Sequence, residues 1–182
     1  KAVTKEVGYG AEYTIASPVI EGNTPSVAVV EGTMGDGDVE IDVIYAVNTN
    51  TLTINYVFAD GTTAADSYVA DLAFGYAYNV KSAEVEGHTT EQPYVSGVMA
   101  DADVTVNVVY VPNVYTVIFR DYDGSDIDVQ YVEHGKAATA PADPERADDE
   151  NYSYTFKGWS ADFSEITEDV VITAEYISTN LS

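Results

Sequence analysis

The sequence predicts a mainly β protein built from small tandem modules that together form an elongated chain. Three segments each place an aspartate before a run in which apolar and polar residues alternate, a pattern typical of a half-buried strand. These runs end at Tyr45, Tyr110 and Tyr176, so their spacing is nearly constant. A constant spacing of this length indicates an internal repeat. No window keeps apolar residues at helical spacing over three turns, so long helices are not expected.

The repeat divides the 182 residues into three modules. Module one is a truncated copy at residues 1–48, module two is complete at 49–112, and module three covers 113–182. Each closes with a strand whose apolar face is predicted as follows: Val39, Ile41, Val43 and Tyr45; Val104, Val106, Val108 and Tyr110; Val170, Ile172, Ala174 and Tyr176. Modules this small have thin cores, so each is expected to have little stability to spare.

Module one aligns with module two at one constant shift, without a gap. The shared positions pair Gly10 with Gly75, Tyr13 with Tyr78, and Glu21-Gly22 with Glu86-Gly87. Module one has no counterpart of the opening hairpin of module two. We therefore interpret the chain as a segment of a longer repeat protein.

Modules two and three both open with a predicted hairpin. The first reads LTINYVFADG and turns at Asp60-Gly61, and the second reads YTVIFRDYDG and turns at Asp123-Gly124. Asp-Gly between alternating apolar residues is a strong hairpin signal. The middle of module three is rich in proline and acidic residues and predicts a loop, followed by a strand from Tyr152 towards Trp159. Gly158 is expected to form a bulge that turns Trp159 inward.

The charge of the chain excludes several classes of partner. Asp and Glu number 31 against 7 Lys and Arg, which gives a net charge of −24 spread along the chain. Nucleic acids and anionic membranes are repelled, because their binding needs a basic surface. No stretch is apolar enough to insert into a membrane. Like-charged molecules repel one another, so we expect a monomer. Cysteine is absent, which is compatible with an extracellular location.

The modules resemble two families of bacterial surface repeats. Module two, with LTINYVFADGTTAADSYVADLAFGYAYNV, VEGHT and DADVTVNVVYVP, resembles the mucin-binding protein repeat of surface adhesins, and module one is similar to a truncated copy. Module three, with YTVIFRDYDGSDIDVQYVEHGKAATAPADP and YTFKGWSADFSEITEDVVITAEY, resembles the internalin B-repeat. The resemblance implies a ubiquitin-like β-grasp or a related small β fold in each module.

The resemblance also implies a function and a location. It implies a non-catalytic segment of an extracellular bacterial adhesin, at the cell surface or cell wall, that acts as a stalk and whose partners are mucin or host glycans. One alternative is a purely structural spacer. Another is a set of accessory modules of a secreted glycoside hydrolase.

Three aromatic residues are candidates for glycan binding. Tyr76 and Tyr94 stand out because module one has Ala11 and Val29 at the matching positions. Trp159 is the only tryptophan. The competing interpretation of Trp159 is a core residue, because a thin β core needs its large aromatic side chains inside.

The stretch DYDGSDID is a candidate calcium site, through Asp121, Asp123, Asp126 and Asp128. Carboxylate oxygens are the ligands that calcium prefers. However, the glycine comes too early for an EF-hand loop, and Val132 occupies the twelfth position, where that loop has Glu. A hairpin turn with solvated acidic residues is the favoured interpretation, and no other cofactor is expected.

No motif indicates an enzyme. The two histidines, His88 and His134, lie far apart in the sequence without a zinc motif around them. Neither a nucleophile elbow nor a phosphate-binding glycine loop occurs. With 31 acidic residues, carboxylate pairs arise by chance and none is singled out as catalytic.

Overall fold

A computed structural model describes residues 2–182, and these residues form β-strands and loops without a helix. This confirms the mainly β prediction. No segment in this range could cross a membrane as a helix. The chain forms two compact units, one of Lys1–Val57, Ala65–Ala83 and Gln92–Val108, the other of Phe58–Ala64, Glu84–Glu91 and Val109–Ser182. The module limits predicted from the repeat, at 48/49 and 112/113, each fall inside a compact unit.

Module one contains four short strands: β1 Glu12–Ala16, β2 Asn23–Pro25, β3 Val29–Thr33 and β4 Tyr45–Val47. β1 pairs with β3 and β2 with β4, both antiparallel. The prediction of a closing strand from Val39 to Tyr45 is wrong for residues 38–44, which have no strand partner. A strand exists only if a neighbour satisfies its backbone groups, and residues 2–48 contain no counterpart of the opening hairpin.

Module two contains six strands: β5 Thr49–Phe58, β6 Thr63–Ala73, β7 Ala77–Lys81, β8 His88–Thr89, β9 Tyr94–Val98 and β10 Val104–Pro112. Four of them form a sheet in the order β6-β5-β10-β8, and β7 pairs with β9. The predicted alternation is visible in the burial of β5, where Leu52, Ile54 and Tyr56 are buried and the residues between them are only partly covered.

The repeat seen in the sequence is reproduced in the strand register. Tyr13 lies opposite Gly32 in the β1–β3 pair, and their counterparts in module two, Tyr78 and Gly97, lie opposite each other in the β7–β9 pair. In both pairs a Cβ on the glycine would overlap the tyrosine hydroxyl. The tyrosine therefore fills the space that the glycine leaves, which explains why both residues recur.

Module three contains four strands: β11 Val114–Arg120, β12 Asp126–Glu133, β13 Tyr152–Trp159 and β14 Val170–Asn180. They form one sheet in the order β12-β11-β14-β13, with β11 parallel to β14 and the outer pairs antiparallel. The predicted loop before Tyr152 and the predicted strand after it are both confirmed. The register shifts between Phe156 and Gly158, which confirms the bulge.

The two predicted Asp-Gly turns have the same hydrogen bonds. Asp60 Oδ1 accepts from the amide and hydroxyl of Thr62, and Asp123 Oδ1 accepts from the amide and hydroxyl of Ser125. Each aspartate side chain thus bonds to the residue two positions later, which stabilises the turn. These bonds hold the pKa of both carboxyl groups below the usual range.

Candidate functional site

The outward face of β7 and β9 is the candidate ligand-binding surface of module two. Its exposed side chains come from alternate residues of each strand, so they point away from the covered face that carries Tyr78 and Val95. The residues lie opposite each other as follows: Ala77 and Val98, Asn79 and Ser96, Lys81 and Tyr94. We call these six residues the β7–β9 face.

Tyr94 supplies the aromatic surface of this face. Its side chain is 54% exposed and lies opposite Lys81 in the strand register. Two residues away, the Ser96 hydroxyl donates to Asn79 Oδ1 at 2.8 Å, which fixes the amide beside the ring. An aromatic ring next to oriented amide and hydroxyl groups can stack on the apolar side of a sugar and bond to its hydroxyls.

Tyr76 lies at the other end of the ladder, in the turn before β7. Its carbonyl accepts from the Met99 amide at 2.8 Å, and its side chain is 55% exposed. Tyr94 is opposite Lys81, five residues further along, which is about 16 Å at the rise of a β-strand. The structure therefore does not bring the two tyrosines together, and one monosaccharide cannot contact both.

The same surface in module one has a different chemistry. In the alignment of the two modules, Thr14 and Glu31 replace Asn79 and Ser96, and Ala16 and Val29 replace Lys81 and Tyr94. The pairing of β1 with β3 places Thr14 opposite Glu31 and Ala16 opposite Val29. The backbone is thus shared by both modules, and the aromatic surface belongs to module two.

Trp159 packs against the core of module three. Its ring contacts Phe119 edge-on, with centroids 5.0 Å apart, and Phe156 at 5.3 Å. It covers a buried cluster whose members are Val117, Phe119, Val132, Ala138, Ile166 and Ile172. These contacts favour the packing interpretation of Trp159.

Each of the four candidate calcium ligands has a partner within the chain. Asp121 accepts from the Tyr176 hydroxyl at 2.8 Å, and Asp126 pairs with Arg120 at 2.8 Å. Asp123 accepts from Ser125 as described above, and Asp128 accepts from the Gln130 amide at 2.8 Å.

Within residues 2–182, no three His, Cys, Asp or Glu side chains are grouped closely enough to hold a metal ion. Calcium binding at the hairpin stays a prediction.

One arrangement was not predicted, the stacking of Arg146 between two tyrosines. Its guanidinium lies 3.5 Å from the ring centroid of Tyr154 and 4.2 Å from that of Tyr122. The Tyr154 hydroxyl also donates to Asp149 at 2.6 Å. Two residues of the loop before β13, Arg146 and Asp149, therefore contact the same tyrosine side chain. An open cleft of about 380 Å³ adjoins this stack, lined by Asp143, Pro144, Glu145, Arg146, Tyr154, Thr155 and Phe156. The only sign of this stack in the sequence was a single arginine in an acidic, proline-rich loop that precedes a strand containing two tyrosines.

Comparison with known proteins gives one family match and a distant structural likeness. Residues 51–111 match the family model of the MucBP domain. Among solved structures, one match is to Streptococcal High Identity Repeats in Tandem (SHIRT) domains 3–4 from a cell surface protein, which are 15% identical in sequence to this chain. The match covers 72% of this chain and 99% of that one, with a TM-score of 0.28. No curated protein matches the chain.

Proposed function

We propose that this chain is a non-catalytic repeat region of a bacterial cell-surface adhesin and that module two binds mucin-type glycans through the β7–β9 face. The observation that carries the proposal is the MucBP match, which covers residues 51–111 and therefore nearly all of module two. The exposed ring of Tyr94, with Asn79 and Ser96 beside it, provides a surface on which a sugar can stack. Tyr76 is a separate contact point for a longer glycan.

The charge of the chain narrows the class of glycan. A net charge of −24 repels sialylated or sulfated sugars, whereas uncharged sugars experience no such repulsion. Stacking on Tyr94 needs no charge on the ligand. Neutral mucin glycans are therefore the expected partners, and their binding should depend only weakly on salt.

The test is binding of the whole chain to immobilised mucin at physiological salt. Tyr94→Ala should weaken binding about tenfold, the equivalent of one lost aromatic contact. Tyr131→Ala is the matched control, because Tyr131 is an exposed strand tyrosine of module three. Equal affinity of the Tyr94 and Tyr131 variants would exclude the β7–β9 face. Complete absence of binding by the unaltered chain would leave the second candidate function, a spacer.

A repeated joint between modules supports the spacer function. At the first boundary the ring of Phe74 lies so close to Gly22, which has φ +68°, that a Cβ on this glycine would overlap the ring. At the second boundary Gly87, with φ +67°, stands in the same relation to the ring of His134. In each case the glycine belongs to one module and the ring to the next.

An asparagine completes each joint with the same two backbone bonds. The Asn48 amide donates to the Gly22 carbonyl, and the Asn48 carbonyl accepts from Phe74, both at 2.8 Å. Asn113 makes the same bonds, to Gly87 and from His134, also at 2.8 Å. An asparagine bonded on both sides has little freedom, so the chain is fixed locally at each of these two contacts. This suits a stalk, whether or not it binds glycan.

Module three and the β-grasp assignment belong to the same proposal. Opening and closing strands that run parallel between antiparallel neighbours, as β11 and β14 do, are compatible with a β-grasp sheet. A loop before β13 would then occupy the place of the helix. The internalin B-repeat resemblance of module three rests on its sequence.

A further inference from the structure

The two histidines of the chain lie together, although they are far apart in the sequence. His88 begins β8 and His134 follows the end of β12, and their ring centroids are 6.2 Å apart. The Phe58 ring packs on His88 at 4.8 Å and the Tyr115 ring on His134 at 5.9 Å. All four rings belong to the same compact unit. Both imidazoles are half-buried, so their packing holds them in place while solvent still reaches them.

Hydrogen bonding places the lone pair of the neutral His88 ring on Nε2. The Nδ1 atom lies 2.8 Å from the carbonyl oxygen of Glu86. A carbonyl oxygen can only accept, so Nδ1 carries the proton and Nε2 carries the lone pair. Histidines that bind metals are typically held in this way, with the other ring nitrogen donating to a backbone carbonyl or a carboxylate.

The matching nitrogen of His134 lies close to the backbone beside His88. The Nδ1 atom of His134 is 3.5 Å from the Tyr115 hydroxyl. The Nε2 atom lies over Gly87, where it would be 2.3 Å from an added Cβ. Gly87 directly precedes His88 in the chain. The Nε2 edge of one histidine is therefore turned towards the segment that carries the other.

The first joint forms the carbonyl bond without a histidine. Asn23 occupies the position that His88 has in the second joint. Its side-chain amide donates to the Glu21 carbonyl at 2.8 Å, which is the bond that His88 makes to Glu86. An asparagine thus performs the local structural role of His88, and the imidazole adds a second nitrogen that this role does not use.

The packing on the glycine does not need a histidine either. The ring of Phe74 lies on Gly22 as the ring of His134 lies on Gly87. Phenylalanine therefore satisfies the close contact in the first joint. The second joint replaces both side chains by histidine, so it keeps the two contacts and gains two ring nitrogens.

We propose that His88 and His134 together bind one divalent transition-metal ion, such as Zn²⁺, through their Nε2 atoms. Zinc binds a histidine nitrogen at about 2.0–2.1 Å, so two rings on one ion have centroids up to roughly 6.4 Å apart. The observed 6.2 Å is within this limit. Among residues 2–182 no group of three His, Cys, Asp or Glu side chains forms here, so water completes the coordination. Imidazole suits zinc and copper, whereas calcium and magnesium prefer oxygen ligands.

The charge around the pair favours a cation. Glu86 and Glu133 are exposed acidic residues next to the two histidines in the chain, and the net charge of the whole chain is −24. A negative surface raises the local concentration of cations. The acidic residues attract any cation, so selection of a transition metal depends on the two imidazoles.

The experiment titrates Zn²⁺ into the whole chain after treatment with a chelator and follows the ring Cε1–H signals of the histidines by NMR. The chain has two histidines, so there are two signals. Both should change with one common midpoint and saturate at one ion per chain. Mg²⁺ is the matched control cation and should leave both signals in place, because it prefers oxygen ligands.

The matched variants are His88→Asn and His134→Phe, which carry the residues of the first joint. Each keeps the structural contact and removes one nitrogen ligand. Zinc binding, measured on the remaining histidine, should weaken at least about tenfold in each variant. A remaining histidine that keeps its midpoint would overturn the proposal, since the two rings would then bind independently.

The unaltered chain supplies a test that does not depend on the folding of either variant. Histidine signals that stay unchanged at millimolar Zn²⁺ would overturn the proposal. So would two different midpoints for the two signals, or equal changes with Mg²⁺, which would assign the effect to the carboxylates.

Discussion

Asp169 Oδ1 accepts a hydrogen bond from the backbone amide of Thr116 at 2.8 Å, and this contact ties the start of the closing strand to the opening strand of module three. Asp103 and Thr51 make the same contact in module two. The aspartate that precedes the closing strand in the sequence thus has a structural role. It satisfies a backbone donor at the end of the parallel pair β11–β14, where the strand ladder has not yet begun.

Replacement of Asp169 by alanine should destabilise module three. The charge-assisted bond is lost and the Thr116 amide is left to water, so we expect a loss of about 1–2 kcal/mol in unfolding free energy. Urea unfolding followed by Trp159 fluorescence measures it, because this only tryptophan lies in module three. Glu168→Ala removes a neighbouring exposed acid and is the control. Asp169→Asn, which keeps an acceptor oxygen, should retain most of the stability.

Replacement of Val108 by aspartate should unfold module two. Val108 is 0% exposed and Val109, its neighbour on the other side of the strand, is 46% exposed. An unpaired charge at Val108 cannot be hydrated without opening the core. Calorimetry should show loss of one transition in the Val108 variant and a nearly unchanged profile for Val109→Asp. If the transition of module three, followed by Trp159 fluorescence, were lost as well, the modules would not unfold independently.

Replacement of Gly87 by alanine should loosen the second joint. The new methyl group strains the backbone and overlaps the His134 ring. Gly124→Ala is the matched control, since Gly124 has φ +87° and nothing within 4 Å of the added carbon. Exchange of the Asn113 and His134 amides should accelerate at least about tenfold in the first variant only. Equal acceleration in both would assign the effect to backbone strain.

Tyr176 should make module three sensitive to alkali. Burial, followed by its hydrogen bond to Asp121, raises the pKa of Tyr176 from 10.0 to about 12. A group whose pKa is raised in the folded state stabilises fully below its unfolded pKa, so this stabilisation is present below pH 10 and is lost towards pH 12. Titration of ¹³Cζ-labelled tyrosine follows Tyr176 directly.

Asp121→Asn should lower the midpoint of that titration, because it removes the negative charge next to the hydroxyl. Asp126→Asn is the control, since Asp126 pairs with Arg120 in the same hairpin. A midpoint that Asp121→Asn leaves in place would assign the shift to burial alone.

Local patterns were sufficient for the parts of the fold that depend on neighbours in sequence. Alternating residues predicted β5, β10, β11 and β14, and the Asp-Gly pairs predicted both turns. The bulge at Gly158 was also predictable, because Tyr154, Phe156 and Trp159 cannot share one face of a regular strand. The same pattern failed in module one, where residues 38–44 alternate correctly but have no neighbouring strand.

The geometry of the candidate site depends on the pairing of strands, which the spacing of residues in the sequence does not reveal. Comparison of the two repeats singled out Tyr76 and Tyr94, but only the register of β7 and β9 places them at opposite ends of a ladder. The stack of Arg146 on Tyr122 and Tyr154 joins residues from a turn, a loop and a strand, so no short-range pattern marks it.

The sequence by itself determined which residues alternate in most of the strands and where the two hairpins turn, because these properties depend on side-chain period and local backbone preference. The tertiary structure alone decided which strands find a partner, why the closing strand is preceded by Asp103 or Asp169, and that Gly22 lies against Phe74 and Gly87 against His134. These features require hydrogen bonds or close packing between residues that lie far apart in the sequence, and such contacts exist only once the chain has folded.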